Sequence, residues 1–236
     1  TSALGLAGLT IASSSLSAVD YARVRGANDK IRMGFIGIGN RGSQLLNIFM
    51  KEPAVEVVAI CDVYAPCLMR DRSKVDPRWL KDLSGQVPKM QENFGKEVKR
   101  YSDYRKLLEQ KDIDAVIVGT PDHWHCLITV NALQAGKHVY CEKPMANTIA
   151  ECNIMVRAGK YYNRQVVQIG QQQRSGLVFQ KAMEIIKTGR IGKLRRVNVW
   201  ANFNYGVGQN IIPDEPVPAG VDFDMWLGPA PQRTFN

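Results

Sequence analysis

The feature that most constrains the fold of this chain is a glycine-rich segment, GIGNRG, that runs from Gly37 to Gly42. It directly follows a short apolar run, Ile31–Gly37, that has the character of a buried strand. A second apolar run, Val55–Cys61, leads into Asp62, which lies 20 residues after Gly42. A G-x-G-x-x-G segment between a strand and a helix, with an acidic residue at this distance, is typical of a dinucleotide-binding unit.

The chemistry of dinucleotide binding explains each residue of this segment. We expect Gly37 to permit the tight turn, Gly39 to let the backbone approach a pyrophosphate, and Gly42 to let helix and strand pack closely. The helix N-terminus offers unpaired N–H groups and a partial positive charge to the phosphates. Asp62 can accept both ribose hydroxyls and repels a 2′-phosphate, which favours NAD over NADP, whereas Arg41 could pair with that phosphate. The alternative interpretation is a structural glycine turn with a surface aspartate.

The hydrophobic pattern along the chain alternates apolar strands with helices. Strands separated by helices predict an α/β fold, a Rossmann-type doubly wound parallel sheet covered on both faces. The polar stretch 65–100 shows no pattern that places it. The predicted strands are 31–37, 55–61, 114–119, 138–141 and 166–170, and the predicted helices are 43–50, 104–110, 123–135 and 149–160.

The pattern changes near Gln171. An amphipathic helix is predicted at 178–188 and an alternating strand at 194–203, followed by sequence rich in Pro and Gly. We therefore expect three parts: an export-signal remnant and linker at 1–30, a dinucleotide-binding Rossmann domain at 31–170, and the start of a truncated α+β substrate and oligomerisation domain at 171–236.

The N-terminal segment Thr1–Val19 carries no charge and consists mainly of Ala, Gly, Ser, Leu and Ile. Its mild hydrophobicity suits the h-region of an export signal better than a membrane span, and Ser15 to Ser17 offers a loose small-x-small cleavage pattern. Such mild hydrophobicity suits the twin-arginine route, so we expect an exported, periplasmic protein without stable membrane insertion. The alternatives are a buried N-terminal helix and a cytoplasmic location.

The composition argues against several other classes of function. Lys and Arg number 31 and Asp and Glu 22, and the resulting formal net charge of +9 permits nucleic-acid binding without showing it. The basic residues between 181 and 196 have no interleaved aromatic platform and are interpreted as a solvated face, so we expect no nucleic-acid partner. Five cysteines without paired spacing do not form a disulfide framework or a zinc ribbon.

Two further polar clusters, TPDHWH at 120–125 and EKP at 142–144, follow the third and fourth predicted strands. Both are candidates for the cofactor site, because the carboxyl ends of parallel strands form the ligand-binding edge of such a sheet. Lys143 could remove a proton from a substrate hydroxyl as hydride leaves the same carbon, or could be a salt-bridged surface lysine. Asp122 could cap the next helix, and His125 could fill the loop. The H-x-H pattern of the first cluster lacks accompanying carboxylates, so we expect no metal.

Four ordered motifs, GFIGIGNRG, AICD, GTPDHWH and AGKHVYCEKP, together resemble the Gfo/Idh/MocA oxidoreductases, the relatives of glucose-fructose oxidoreductase and inositol dehydrogenase. The resemblance extends from about Ile31 to the C-terminus. The segment DFDMWLGPAP at 222–231 is similar to that of an exported subgroup with twin-arginine signals, which adds to the expectation of export.

The resemblance implies a role for each candidate residue. Lys143 is then the catalytic lysine of the E-K-P motif, and Asp62 holds the adenosine ribose. Gln171 lies where relatives place a polar residue near the nicotinamide, and Arg174 faces the substrate. The residues implied to bind the cofactor are Gly37, Gly39, Asn40, Arg41, Gly42, Asp62, Thr120, Pro121, Asp122, His123, Trp124, His125, Glu142, Lys143 and Gln171.

One departure from the family pattern concerns the acid/base histidine. Relatives carry a D-x-x-x-H arrangement in the second domain, and its histidine usually acts on the substrate. The three histidines here, His123, His125 and His138, all lie in the predicted first domain. We therefore expect a fragment that holds the cofactor but is catalytically incomplete by itself.

The residues and the resemblance together predict an exported NAD-dependent oxidoreductase. It would transfer hydride between the hydroxyl-bearing carbon of a sugar, cyclitol or glycoside and a tightly held nicotinamide cofactor, and the full-length protein would form a homo-oligomer. Two alternatives stay open. One is an NAD-dependent glycosidase that uses transient oxidation, although such relatives usually lack the E-K-P lysine, and the other is a non-catalytic NAD-binding sensor.

Overall fold

A computed structural model describes residues 30–82, 85–200 and 213–236 of the 236-residue chain. The export-signal remnant and linker predicted at 1–30 lie outside the described residues, apart from Lys30. Within the described residues, six strands form one parallel sheet: β1 (Ile31–Ile36), β2 (Val55–Cys61), β3 (Lys99–Tyr101), β4 (Ala115–Val118), β5 (His138–Glu142) and β6 (Val167–Gly170).

The strand order, β3-β2-β1-β4-β5-β6, reverses direction between β1 and β4. The chain moves outward from β1 through β2 to β3, returns to β4 on the other side of β1, and then moves outward again. In a doubly wound sheet, ligands bind outside the carboxyl ends of the two strands at this reversal. Gly37 and Gly119 directly follow these two strand ends. The predicted doubly wound parallel sheet is confirmed.

Both faces of the sheet are buried, because each strand sends its side chains alternately to the two sides. In β1, Met33 and Phe35 belong to one apolar cluster while Ile36 belongs to the other. In β4, Ile117 packs with the first cluster and Val116 with the second. Double burial explains why these strands are continuously apolar in sequence and do not alternate with polar residues.

The helices surround this sheet or lie after its last strand. At the start of the helix Ile149–Tyr161, Thr148 and Glu151 form a reciprocal capping box. No helix in the described part of the chain is both long enough and apolar enough to cross a membrane. The helices are α1 (Asn40–Phe49), α2 (Ala65–Met69), α3 (Pro77–Asp82), α4 (Tyr104–Leu108), α5 (His125–Gln134), α6 (Ile149–Tyr161), α7 (Leu177–Lys187) and α8 (Phe223–Leu227), with 3₁₀ turns at Arg72–Lys74, Asp122–Trp124 and Gln172–Ser175.

The stretch 65–100 contains α2, α3 and the start of the edge strand β3, none of which the sequence pattern placed. β3 has three residues, two of them basic and exposed, and is therefore too short and too polar to give an apolar signal. The Pro- and Gly-rich tail also contains a helix, α8. Asp222 begins it by accepting a hydrogen bond from the Met225 N–H at 2.9 Å.

The strand predicted at 194–203 is wrong over 194–200, which has no regular secondary structure. A strand needs a neighbour for its backbone hydrogen bonds, and no strand of the described residues pairs with this segment. Residues 201–203 lie outside the described residues. The domain boundary between 31–170 and 171–236 stays a prediction.

Candidate cofactor-binding site

In the glycine-rich turn between β1 and α1, glycines let the backbone approach closely at two places, next to Cys61 and at the start of α1. Gly37 has a φ of +79°, a left-handed conformation that glycine adopts without strain, and its N–H donates to the Cys61 carbonyl at 2.9 Å. A β-carbon at Gly42 would lie 1.8 Å from the Gly37 carbonyl oxygen, so only glycine lets α1 begin this close to β1. A β-carbon at Gly39 would meet no atom within 4 Å, which leaves that side of the turn open.

The N-terminus of α1 begins at this open turn without a side-chain cap. Gly39 is the N-cap residue, and the first turn of the helix contains no acidic residue. The Asn40 side chain does not cap the helix and instead forms hydrogen bonds with the side-chain amides of Gln44 and Gln86. Uncapped N–H groups and the positive end of the helix dipole together favour an anion such as a phosphate.

Asp62, directly after β2, directs its carboxylate to the same turn. Its Oδ2 accepts the Ile38 N–H at 2.8 Å, and its Oδ1 accepts the Tyr64 N–H at 2.9 Å. Burial raises the pKa of this carboxyl, and the two N–H groups and the charge of Arg70 oppose that rise. Each carboxylate oxygen has a second lone pair, so Asp62 can still accept hydrogen bonds from ribose hydroxyls.

A cavity of about 450 Å³ lies beside the turn, within the size range of cofactor pockets. Gly37, Gly39 and Asp62 line it from the β1–β2 side, and Gly119–Pro121 line it from β4. The Thr120 hydroxyl is buried at this wall with no hydrogen-bond partner in the described part of the chain. Buried hydroxyls are normally satisfied, so this one is consistent with a site that a ligand completes. These residues therefore fit a dinucleotide.

Arg41 connects the turn to the carboxyl end of β5. Its Nε and Nη2 each lie 2.7 Å from Glu142 Oε1, and the Glu142 side chain is only 3% exposed. Because β5 and β2 lie on opposite sides of β1, this ion pair holds Arg41 on the side opposite Asp62. The sequence-based argument that Arg41 pairs with a 2′-phosphate beside Asp62 therefore loses its support.

Lys143 lies exposed at the carboxyl end of β5. Its backbone N–H donates to Glu142 Oε2 at 2.8 Å, and its peptide bond to Pro144 is cis. Among the described residues, no carboxylate forms an ion pair with its amine. β5 and β6 pair Glu142 with Gly170, so Gln171 follows at the same edge of the sheet as Lys143, and both side chains are exposed.

The residues after β4 divide between the cavity and the interior. Trp124 lines the cavity. His125 is 1% exposed, with Nδ1 2.6 Å from the Pro144 carbonyl oxygen and Nε2 2.9 Å from that of Thr120. It therefore ties the loops after β4 and β5 together and does not line the cavity. The alternative that Asp122 caps the next helix is wrong, since Asp122 is the first residue of the 3₁₀ turn and Trp124 is the N-cap residue of α5, which has no side-chain cap.

The remaining polar candidates lie away from the cavity or lack reactive character. Arg174 is exposed in the 3₁₀ turn after β6. Burial raises the pKa of the Cys67 thiol to about 12 and also raises the pKa of the Cys61 thiol, so these cavity-lining thiols stay protonated. In the residues that the structure describes, no cluster of His, Cys, Asp or Glu could hold a metal ion.

Residues 31–171 match the sequence model of an oxidoreductase family, GFO_IDH_MocA, described as having an NAD-binding Rossmann fold. This match covers more than half of the chain. The chain belongs to the Gfo/Idh/MocA family. The prediction of an NAD-binding fold is thereby confirmed, while the roles of individual site residues stay predictions.

Several named proteins are similar to this chain. It is 32% identical over 164 residues to inositol 2-dehydrogenase of Salmonella typhimurium, covering 69% of this chain and 43% of the relative. It is 36% identical over 124 residues to a glycosyl hydrolase family 109 protein of Shewanella baltica, covering 52% of this chain and 25% of the relative. A solved structure, myo-inositol 2-dehydrogenase from Lactobacillus plantarum, gives a TM-score of 0.56 at 26% identity, covering 70% of this chain and 43% of that one. The chain thus spans less than half the length of these relatives.

Sequence reasoning missed a buried ion pair that supports the turn. The side chains of Arg70 and Glu92 are 5% and 2% exposed, and Arg70 Nε donates to Glu92 Oε2 at 2.9 Å. Arg70 also donates to the Ile38 carbonyl and to Ser43 Oγ, each at 3.1 Å, which connects the pair to the turn and to α1. Both residues lie in the stretch 65–100, where no local pattern distinguishes a buried charge from an exposed one.

We expect Gly42→Ala and Gly39→Ala to separate folding from binding. The methyl group at Gly42 would overlap the Gly37 carbonyl, and overpacking of this kind costs about 1–3 kcal/mol of unfolding free energy. The methyl group at Gly39 meets open space, so we expect a cost below about 1 kcal/mol there. It lies where phosphates approach, so NADH binding should weaken about tenfold or more. Urea unfolding and NADH fluorescence titration measure both quantities, and equal losses of stability would contradict the expectation.

The Arg70–Glu92 pair predicts a loss of stability in acid. Burial alone raises the pKa of Glu92, but hydrogen bonds and charge from Arg70 outweigh it and hold the pKa below its ordinary value of 4.5. The stabilisation is therefore fully present above about pH 4.5 and is lost as pH falls through the folded-state pKa. Urea unfolding across this range should show a shallower acid decline for Glu92→Gln than for the wild type. Parallel curves would show that Glu92 plays no part.

Proposed function

We propose that the protein transfers hydride between NAD and the hydroxyl-bearing carbon of a sugar, cyclitol or glycoside. The position of Lys143 carries this proposal. Its exposed amine lies at the carboxyl end of β5, one residue from the Arg41–Glu142 pair that links β5 to the phosphate-binding turn. An amine at that place can take the proton of a substrate hydroxyl while hydride leaves the carbon that bears this hydroxyl for NAD.

The residues of the chain divide the work of binding and proton transfer. The open turn at Gly39 and the uncapped start of α1 bind the phosphates, and Asp62 accepts hydrogen bonds from the ribose hydroxyls. NAD, when bound, supplies the hydride acceptor. Lys143 Nζ takes the hydroxyl proton in oxidation and returns it in reduction. His125, which bonds the carbonyls of the loops after β4 and β5, keeps the lysine loop in place.

Similarity to the inositol dehydrogenases supports a polyol as the class of substrate. The proposal concerns the activity of the whole protein, because this chain spans less than half of those relatives. The sequence contains no D-x-x-x-H arrangement, so we propose that a second acid/base group and most substrate contacts come from residues not among these 236. Arg174 and Gln171, exposed after β6, are the substrate-side and nicotinamide-side candidates here. A homo-oligomer is proposed for the full-length protein.

A second candidate function is an NAD-dependent glycosidase. The glycosyl hydrolase family 109 protein of Shewanella baltica is the observation that favours it. Lys143 of the E-K-P motif is the observation against it, since glycosidase members usually lack this lysine. The two functions differ in product, because a glycosidase releases the aglycone without a net change in NADH.

Lys143→Met removes the proposed proton acceptor and keeps a side chain of similar length. We expect kcat for polyol oxidation, followed as NADH formation, to fall about 10²–10⁴-fold while the Kd of NADH changes by less than about threefold. Lys160→Met, which removes an exposed lysine in α6, is the matched control and should retain activity. Release of the aryl group from an aryl glycoside that persists in Lys143→Met would favour the glycosidase instead.

We propose that the protein is exported by the twin-arginine route and acts in the periplasm. The uncharged, mildly apolar segment Thr1–Val19 and the similarity of residues 222–231 to an exported subgroup support this. Because that route carries folded cargo, the protein would cross the membrane with NAD already bound. Fractionation of cells that make the full natural protein should recover it with a periplasmic marker, and recovery with a cytoplasmic marker would refute export.

A further inference from the structure

Residues 213–236, here named the strap, lie against the cavity beside the glycine-rich turn. On the β2 side, the Asp222 N–H donates to the Val63 carbonyl at 2.9 Å. Tyr64 and Val221 form an antiparallel bridge next to it. These contacts attach the strap to the two residues that directly follow Asp62 at the end of β2.

A second fastening lies on the β4 side of the cavity. Trp124 Nε1 donates to the carbonyls of Met225 and Trp226 at 3.1 Å each, and His123 Nε2 lies 2.9 Å from the Trp226 carbonyl oxygen. The Trp124 ring also packs directly on the backbone of Gly228, where a β-carbon would lie only 2.0 Å from it. The strap thus spans the crevice between the two strands that flank β1.

Residues of the strap form one wall of the cavity. Phe223 and Trp226 line it with rings stacked at a centroid distance of 5.8 Å and an interplanar angle of 15°. Arg233 is the one cationic residue, and Asp62 the one carboxylate, among the described residues that line the cavity. Aromatic faces bind a nucleobase by stacking, and a guanidinium pairs with phosphate.

We propose that the strap is part of the NAD site and that it covers the adenosine half of the cofactor and slows NAD release. Asp62, the ribose-binding carboxylate, marks this cavity as the adenosine half. Because the strap is fastened on both sides of the crevice, its aromatic rings are held beside the cavity, where they retain the adenosine half and slow its release. The inference deepens the proposed function, since it rests on NAD occupying this cavity.

The release rate of NADH tests the strap directly. Full-length protein loaded with NADH is mixed with excess NAD⁺, and the loss of bound-NADH fluorescence is followed by stopped flow. The double variant Phe223→Ala/Trp226→Ala should release NADH about tenfold faster or more, the size expected for losing one stacked aromatic contact. Tyr161→Ala, which removes a 79% exposed aromatic from α6, is the matched control and should release NADH at the wild-type rate.

Arg233→Gln and hydrogen exchange keep the test valid if the double variant does not fold. Arg233 is exposed on the strap, and its replacement should speed release several-fold. NADH should also slow amide exchange in residues 221–228 of the wild type. Wild-type release rates in the folded strap variants, or unchanged exchange in the strap, overturn the inference and leave NAD binding intact. A wild-type protein that binds no NADH overturns both the inference and the proposed function.

Discussion

The Gly37 carbonyl oxygen lies only 1.8 Å from the place that a β-carbon at position 42 would occupy. The start of α1 therefore rests directly against the end of β1, and the uncapped N–H groups of the helix lie at the point where the sheet reverses its order. Two charged residues of the candidate site meet the chain at this turn. Asp62 reaches the turn through the Ile38 N–H, and Arg41 leaves it toward β5. A displaced helix would move its N-terminus away from Asp62 and would move Arg41, which lies in its first turn, away from Glu142.

Two ion pairs support the turn, and they differ in how deeply their side chains are buried. Arg70 and Glu92 are both buried, so each needs the other to offset the cost of desolvation. Arg70 also bonds the Ile38 carbonyl and Ser43, which commits its charge to holding the backbone in place. In the second pair Glu142 is buried while Arg41 is partly exposed. The buried pair thus fixes the shape of the turn, whereas the second pair joins it to the strand that carries Lys143.

The sequence predicted the parts of the fold that local pattern encodes. β1 and β2 are continuous apolar runs because both faces of the sheet are buried, and the glycine spacing follows from the contact between Gly37 and Gly42. β3 was not predictable, because edge pairing of three residues gives no hydrophobic signal. The alternating pattern at 194–203 indicated a strand. Alternation shows only that one side of a segment is apolar, whereas a strand also needs a neighbouring strand for its backbone hydrogen bonds, which the local sequence does not reveal.

The candidate site was predicted less completely than the sheet, because several of its contacts join distant parts of the chain. Trp124 meets Trp226 across about a hundred residues, and Arg70 meets Glu92 within the stretch 65–100, which shows no regular hydrophobic pattern. A helix signal was nonetheless present in the tail: Asp222 and Gly228 stand where an N-cap and a terminating glycine belong. The aromatic residues between them could have been assigned to a helix, although not to the cavity.

The Arg41–Glu142 pair has a mechanical consequence. It spans from the first turn of α1 to the last residue of β5, and Glu142 in turn accepts the Lys143 N–H. The two residues therefore connect the helix that begins at the glycine-rich turn to the backbone from which Lys143 projects. A substitution that breaks this single ion pair would loosen the start of the helix and the lysine-bearing loop together.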